Sequence, residues 1–171
     1  MYVKLGNPSR KNKAETIVIH DYDTWNMDAT LAHIVVPMLK QLKEAKHGAP
    51  WVDNEDVPVE LRATKEEVEF NNTGEGEDEH FFDRWDYVMD EMTFAFQSKL
   101  EDWEEQFYSG KSDCWLEWDD KLKQKDRENA YSMEYGPNHT LELDTEGMKV
   151  YQDRINNGFL LFGKYYGGLW D

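Results

Sequence analysis

Apolar side chains recur at helical spacing in three stretches of this chain. In the first, Leu31, Ile34, Val35, Met38, Leu39, Leu42 and Ala45 follow the i, i+3, i+4, i+7 rule that lines one stripe of an α-helix. Asp23 or Thr24 offers a capping oxygen at its start, and Asp28 suits the first turn. Lys40, Lys43, Lys46 and His47 gather at its end, where positive charge complements the helix dipole, and Gly48 and Pro50 close it. Pro37 lies inside this pattern, where the missing N–H predicts a kink or a helix that starts just before it.

The second stretch, Phe81, Trp85, Val88, Met92, Phe96, Leu100, Trp103 and Phe107, predicts one helix from about Glu79 to about Tyr108, ended by Gly110. At 1.5 Å per residue such a rod is ~45 Å long. The third begins after Asp144 or Thr145 and carries Met148, Tyr151, Ile155, Phe159, Phe162 and Tyr166. Gly158 and Gly163 sit inside it, each costing roughly 1 kcal/mol against Ala, which predicts close approach of another backbone or a break near Gly163. The tail, with Leu169 and Trp170, is expected to pack down.

Shorter elements lie between. Thr16, Ile17, Val18 and Ile19 read as a buried strand, and residues 2–5 are expected to pair with it across the Gly6-Asn7-Pro8-Ser9 turn signal. Residues 139–143 form a further strand candidate. Thr64 and Glu67 have capping-box spacing for a short helix. Trp115, Leu116, Trp118 and Leu122 suggest a short amphipathic helix. With no repeat and no domain-splitting linker, the expectation is a single domain over 1–171. Its class is mainly α (α+β): three long helices packed on an aromatic core, with a small N-terminal β element.

Charge changes the picture. The chain has 36 acidic and 19 basic residues, a net charge of −17, yet it is 14% aromatic. Disordered acidic chains lack such aromatics, so this one is expected to fold and to hold a like-charge excess on its surface. That excess disfavours direct binding to nucleic acid or anionic membranes and favours a basic partner, a cation or plain solubility. No apolar run approaches the ~18 residues of a membrane span, and the start, Met1-Tyr2-Val3-Lys4, shows no secretory pattern. Cys114 stands alone, which excludes an internal disulfide or a Cys-based zinc site and fits a reducing compartment.

Candidate chemistry is sparse. The His20-Asp21 pair is similar to the metal-ligand hallmark of the HD phosphohydrolases, but here it follows an apolar strand rather than lying on a helix. A metal-dependent hydrolase using His20, Asp21 and Asp23 is the alternative; the preferred reading is a strand end whose Asp23 caps the next helix. His80-x-x-Asp83 reverses the Glu-x-x-His order of di-iron bundles. His33 falls off its helix's apolar stripe and reads as a surface or interface histidine. Cys114 beside Asp113 is no activated thiol, and nucleophile elbow, phosphate loop and dinucleotide fingerprint are missing. No cofactor is expected, and catalysis has little support.

The acidic arrangement is the stronger candidate. Glu75 to Glu91 holds eight acids and one Arg; Glu101, Asp102, Glu104 and Glu105 follow, then Asp119 and Asp120. At about 100° per residue, Asp83, Asp86 and Asp90 lie near ~175° and the apolar stripe near ~10°, so these acids are expected to face outward. The bland reading is a solvated surface. The functional one is a carboxylate array that imitates phosphate spacing and binds a basic protein, as an inhibitor or DNA mimic. Its expected contacts are Asp83, Asp86, Asp90, Glu101, Asp102 and Glu105. A virion or assembly component, with aromatic surface joining copies, is a further alternative.

Several segments together carry a family likeness: His20-Asp21-Tyr22-Asp23-Thr24-Trp25; Pro37 to Lys43 with His47-Gly48-Ala49-Pro50; Arg84 to Met92; and Asn157-Gly158-Phe159 with the tail to Asp171. Over about half its length the chain resembles an uncharacterised family of small acidic proteins of tailed bacteriophages. The resemblance implies a source and a compartment, the cytoplasm of an infected bacterium, but no activity.

Overall fold

A computed structural model describes residues 2–5, 14–74, 76–118 and 131–170. The Gly6-Asn7-Pro8-Ser9 turn, Leu122, Glu75, Asp119, Asp120 and Asp171 lie outside the described residues. The chain is mainly helical with small antiparallel sheets, an α+β arrangement. It clusters into two compact units, Met1–Asp102 with Asp153–Asp171, and Trp103–Gln152.

In the first unit, β1 (Tyr2–Leu5) pairs antiparallel with β2 (Ala14–Val18), with Val3 opposite Ile17. A short helix α1 (Asp21–Trp25) precedes α2 (Met27–Ala45), which continues through Pro37. α3 (Lys65–Thr73) starts on the expected capping box: Glu67 N donates to Thr64 Oγ1 at 3.2 Å, and Thr64 N donates to Glu67 Oε2 at 2.7 Å. α4 (Phe81–Gln97) follows, and α5 (Thr145–Lys164) contributes its C-terminal part.

The expected rod from Glu79 to Tyr108 is shorter than its apolar spacing implied. The helix gives way to a 3-10 turn, Ser98–Leu100, and Glu101 is extended at φ −128° and ψ 148°. Buried Ser98 turns its hydroxyl back onto the Ala95 carbonyl at 2.7 Å, a local bond that competes with the helical ladder.

Trp85, Val88, Met89, Met92, Ile155 and Leu161 are fully buried in this unit. One of these is aromatic. Tyr165 joins them with its ring edge-on to Trp85, centroids 5.9 Å apart. Phe96 meets Phe159 and Phe162 edge-on at the margin of the cluster. Methionine and aliphatic side chains therefore fill most of an interior expected to be aromatic.

Helix α2 turns part of its expected stripe inward: Leu39 is buried and Val35 and Leu42 pack on the core, and Ala32 and Val36, outside that stripe, are buried too, whereas Leu31 and Met38 are exposed. Helices α4 and α5 meet where Gly158 was expected to admit a backbone. A Cβ there would stand 2.3 Å from the Glu91 carbonyl oxygen, so only glycine permits this crossing.

The second unit starts with the turn Trp103–Phe107, where Trp103 stacks on Tyr151 at 4.9 Å. β3 (Tyr108–Ser109) pairs with β6 (Glu142–Leu143). β4 (Cys114–Trp118) pairs with β5 (Tyr131–Tyr135). The amphipathic helix expected at Trp115, Leu116 and Trp118 is thus a strand; a short apolar run fits both periods, and the neighbouring strand decides. Gly110 ends no helix: its φ of +82° puts the turn after β3 against Thr140.

Candidate functional site

His20 and Asp21 are exposed at the entry to α1. Asp23 Oδ2 accepts the His20 backbone N–H at 2.7 Å, closing the first turn and holding the Asp23 carboxyl below its ordinary pKa. Among the described residues no three His, Cys, Asp or Glu side chains are grouped as metal ligands.

Of the acids expected on the outer face, Asp83 and Asp90 are exposed and Asp86 is half-buried. None stands as a bare carboxylate. Asp90 Oδ1 meets Lys43 Nζ at 2.6 Å, and Asp86 Oδ1 meets Lys46 Nζ at 2.6 Å. The second contact is an ion pair in distance but misses hydrogen-bonding direction, which leaves Asp86 Oδ1 without a hydrogen bond. Lys43 lies in the last turn of α2 and Lys46 at its C-cap, so these aspartates bind within the fold. Asp83 Oδ2 lies 3.0 Å from His80 Nδ1, a contact that raises the His80 pKa.

Two acids sit deeper. Asp78 and Arg84 pair with only 3% of each side chain exposed. Arg84 also donates to the Leu61 carbonyl at 2.9 Å, and Asp78 accepts from Asn71 Nδ2 at 2.5 Å and from the His80 N–H at 2.9 Å. Burial pushes the Asp78 carboxyl up, but Arg84, Asn71 and His80 outweigh it and hold its pKa below the ordinary value. Glu91, grouped by sequence with the outward acids, is buried. Both its oxygens take bonds from Arg154: Nε at 3.1 and 3.0 Å, and Nη2 at 2.6 Å. The Arg154 guanidinium also lies 3.8 Å from the Phe94 ring centroid. The clue was Arg154 four residues before Gly158, on the same face of the helix that Gly158 lets approach.

Glu101 and Asp102, beyond α4, are exposed, and Glu101 Oε1 accepts Gln97 Nε2 at 2.7 Å. Glu105 is exposed on the Trp103–Phe107 turn of the second unit.

Sequence reasoning missed one cluster in the first unit. Lys164 Nζ lies 2.8 Å from Asp53 and 2.6 Å from Asp56, and Tyr165 donates to Asp56 Oδ2 at 2.5 Å. Burial and then the Asp56 bond push the Tyr165 hydroxyl up to about 12, while Asp53 and then Asp56 raise the Lys164 pKa. This satisfied network staples the end of α5 to the turn Asn54–Asp56.

Compared with protein-family models, curated proteins and solved structures, the chain matches none. Among the described residues no helix is long and apolar enough to cross a membrane.

Proposed function

We propose that this chain is a non-enzymatic accessory protein that binds a basic protein surface through its exposed carboxylates. The observation that supports this most is the exposure of Asp83, Glu101, Asp102 and Glu105 in a chain of net charge −17. Asp86 and Asp90 contribute less than the sequence implied, because Lys46 and Lys43 already balance them. In this reading three long helices and their interior are the frame. The source would be a tailed bacteriophage, the site of action the cytoplasm of the infected bacterium, and the target a protein whose own cations ordinarily grip phosphate.

Capture from bacterial lysate at low and high salt tests this. Wild type is expected to retain a basic protein at low salt and to release it as screening rises. A variant carrying Asp83→Asn, Glu101→Gln, Asp102→Asn and Glu105→Gln is expected to lose it. A partner held unchanged in high salt contradicts the reading.

A further inference from the structure

The ladders β1–β2 and β4–β5 differ at their edges. β1 carries Lys4, and its register with β2 shifts between Lys4 and Leu5; both features discourage a further strand. β4 has neither: Cys114–Trp118 contains no Lys or Pro, and its pairing with Tyr131–Tyr135 runs without a shift. In an antiparallel pair every second residue of a strand turns its N–H and C=O away from the partner. Among the described residues no other strand or loop backbone meets those of β4. Direct pairing also sorts the side chains into two faces. Cys114 and Leu116 share one with Met133 and Tyr135. Leu116 is 65% exposed, Met133 54% and Tyr135 61%. Trp115 and Glu117 share the other with Ser132 and Glu134. Trp115 is 50% exposed, Glu134 accepts the Ser132 hydroxyl at 2.9 Å, and among the described residues neither glutamate meets a lysine or arginine. The hairpin is pinned at its base, where Gly136 N donates to the Asp113 carbonyl at 2.8 Å and Asn138 N to Asp113 Oδ2 at 3.0 Å. Above that base, two strands with both faces open are marginal by themselves, and a third strand is what such a ladder needs.

We propose that β4 accepts a third strand from another protein: an extended segment in which apolar residues alternate with arginine. Three observations select this occupant. First, the open backbone groups of β4 suit a strand and not a helix, whose own N–H and C=O groups are already paired. Second, the two faces differ in chemistry at period two, which only an extended segment matches: apolar side chains fall beside Leu116, and the alternate ones beside Trp115 and Glu117. Third, an exposed indole two residues from an exposed carboxylate suits a guanidinium, which stacks on the one and forks onto the other. A second copy fits worse. Its β4 would bring another Glu117, on a chain of net charge −17, to the same edge. Five residues at ~3.4 Å each give a seam of ~17 Å, which suits a peptide segment and is a smaller contact than the about 800 Å² per partner of a standard interface.

This edge uses none of the carboxylates assigned above to a basic protein surface, so the two stand or fall separately. Hydrogen exchange of the full chain tests it, with a short end-capped peptide of alternating valine and arginine as the probe. The peptide is expected to slow amide exchange over Cys114–Trp118 and to leave Tyr2–Leu5 unchanged. A peptide of the same composition with its valines and arginines in separate blocks has the same charge but cannot divide its side chains between two faces. In titration calorimetry it is expected to bind at least ~10-fold more weakly. Leu116→Thr and Glu117→Gln are each expected to weaken the alternating peptide roughly 5-fold with circular dichroism unchanged, since both side chains face water in the free chain. The chain carrying Asp83→Asn, Glu101→Gln, Asp102→Asn and Glu105→Gln is expected to bind the peptide as wild type does. Equal binding of the two peptides overturns the proposal, as does unaltered exchange over Cys114–Trp118, indifference to both β4 variants, or loss of the peptide by the four-fold variant. So does a wild-type chain that sediments as a dimer and becomes monomeric with Leu116→Thr, which would give the edge to a second copy.

Discussion

The carboxylates of α4 and those just beyond it come from one dense acidic stretch, yet the fold treats them differently. Glu91 is enclosed by Arg154, and Asp86 and Asp90 are met by lysines of α2. Glu101, Asp102 and Glu105, a turn or two later, face water. The helix ends between the two groups, at Ser98. Charge density alone therefore does not locate a docking surface. What matters is which acids the chain's own cations have reached, and that is set by packing.

The comparison is broken most severely by uncovering a buried charge. Arg84→Ala strands the Asp78 carboxylate and is expected to destabilise by about 3–5 kcal/mol in chemical denaturation. Asp78 carries a pH signature too. Its folded pKa is depressed, so its contribution is complete above the unfolded value of about 3.9 and is lost as pH falls from there through the native value. In Asp78→Asn the acid limb of the stability profile should flatten.

Gly158→Ala presses a methyl group into the Glu91 carbonyl and should cost about 1–3 kcal/mol by overpacking, with loss of the Arg154 clasp. Smaller again is Asp86→Asn with Asp90→Asn, about 1 kcal/mol, because both pairs are partly solvated. Neutralising Asp83, Glu101, Asp102 and Glu105 should move stability by less than about 0.5 kcal/mol. A thermal melt of each variant places it in this order, and an inverted order would mean the two groups of acids have been assigned to the wrong jobs.

Local features were legible in the sequence. Thr64 and Glu67 bond within three residues, so their spacing sufficed to set the start of α3. The glycine at 158 announced a close approach because its helical penalty needs a packing reason. Features made by distant partners were not legible. Tyr165 and Asp56 meet across 109 residues. β4 is a strand only because Tyr131–Tyr135 lies beside it. The inward face of α2 was partly legible: Val35, Leu39 and Leu42 of the expected stripe face the core, but the small Ala32 and Val36 are buried beside them while the larger Leu31 and Met38 stay outside. Of the acidic site, the exposure of Asp83 followed from helical angles. The commitment of Asp86, Asp90 and Glu91 required knowing where Lys46, Lys43 and Arg154 would come to rest.

One measurement bears on the account most directly: retention of a basic partner across a salt gradient by two neutralised chains, side by side. The first carries Glu101→Gln and Asp102→Asn with Asp83→Asn; the second carries Asp86→Asn and Asp90→Asn. The first is expected to release the partner at markedly lower salt while melting like wild type, and the second to retain it while melting earlier. Retention by the first and release by the second would contradict the division of labour drawn here.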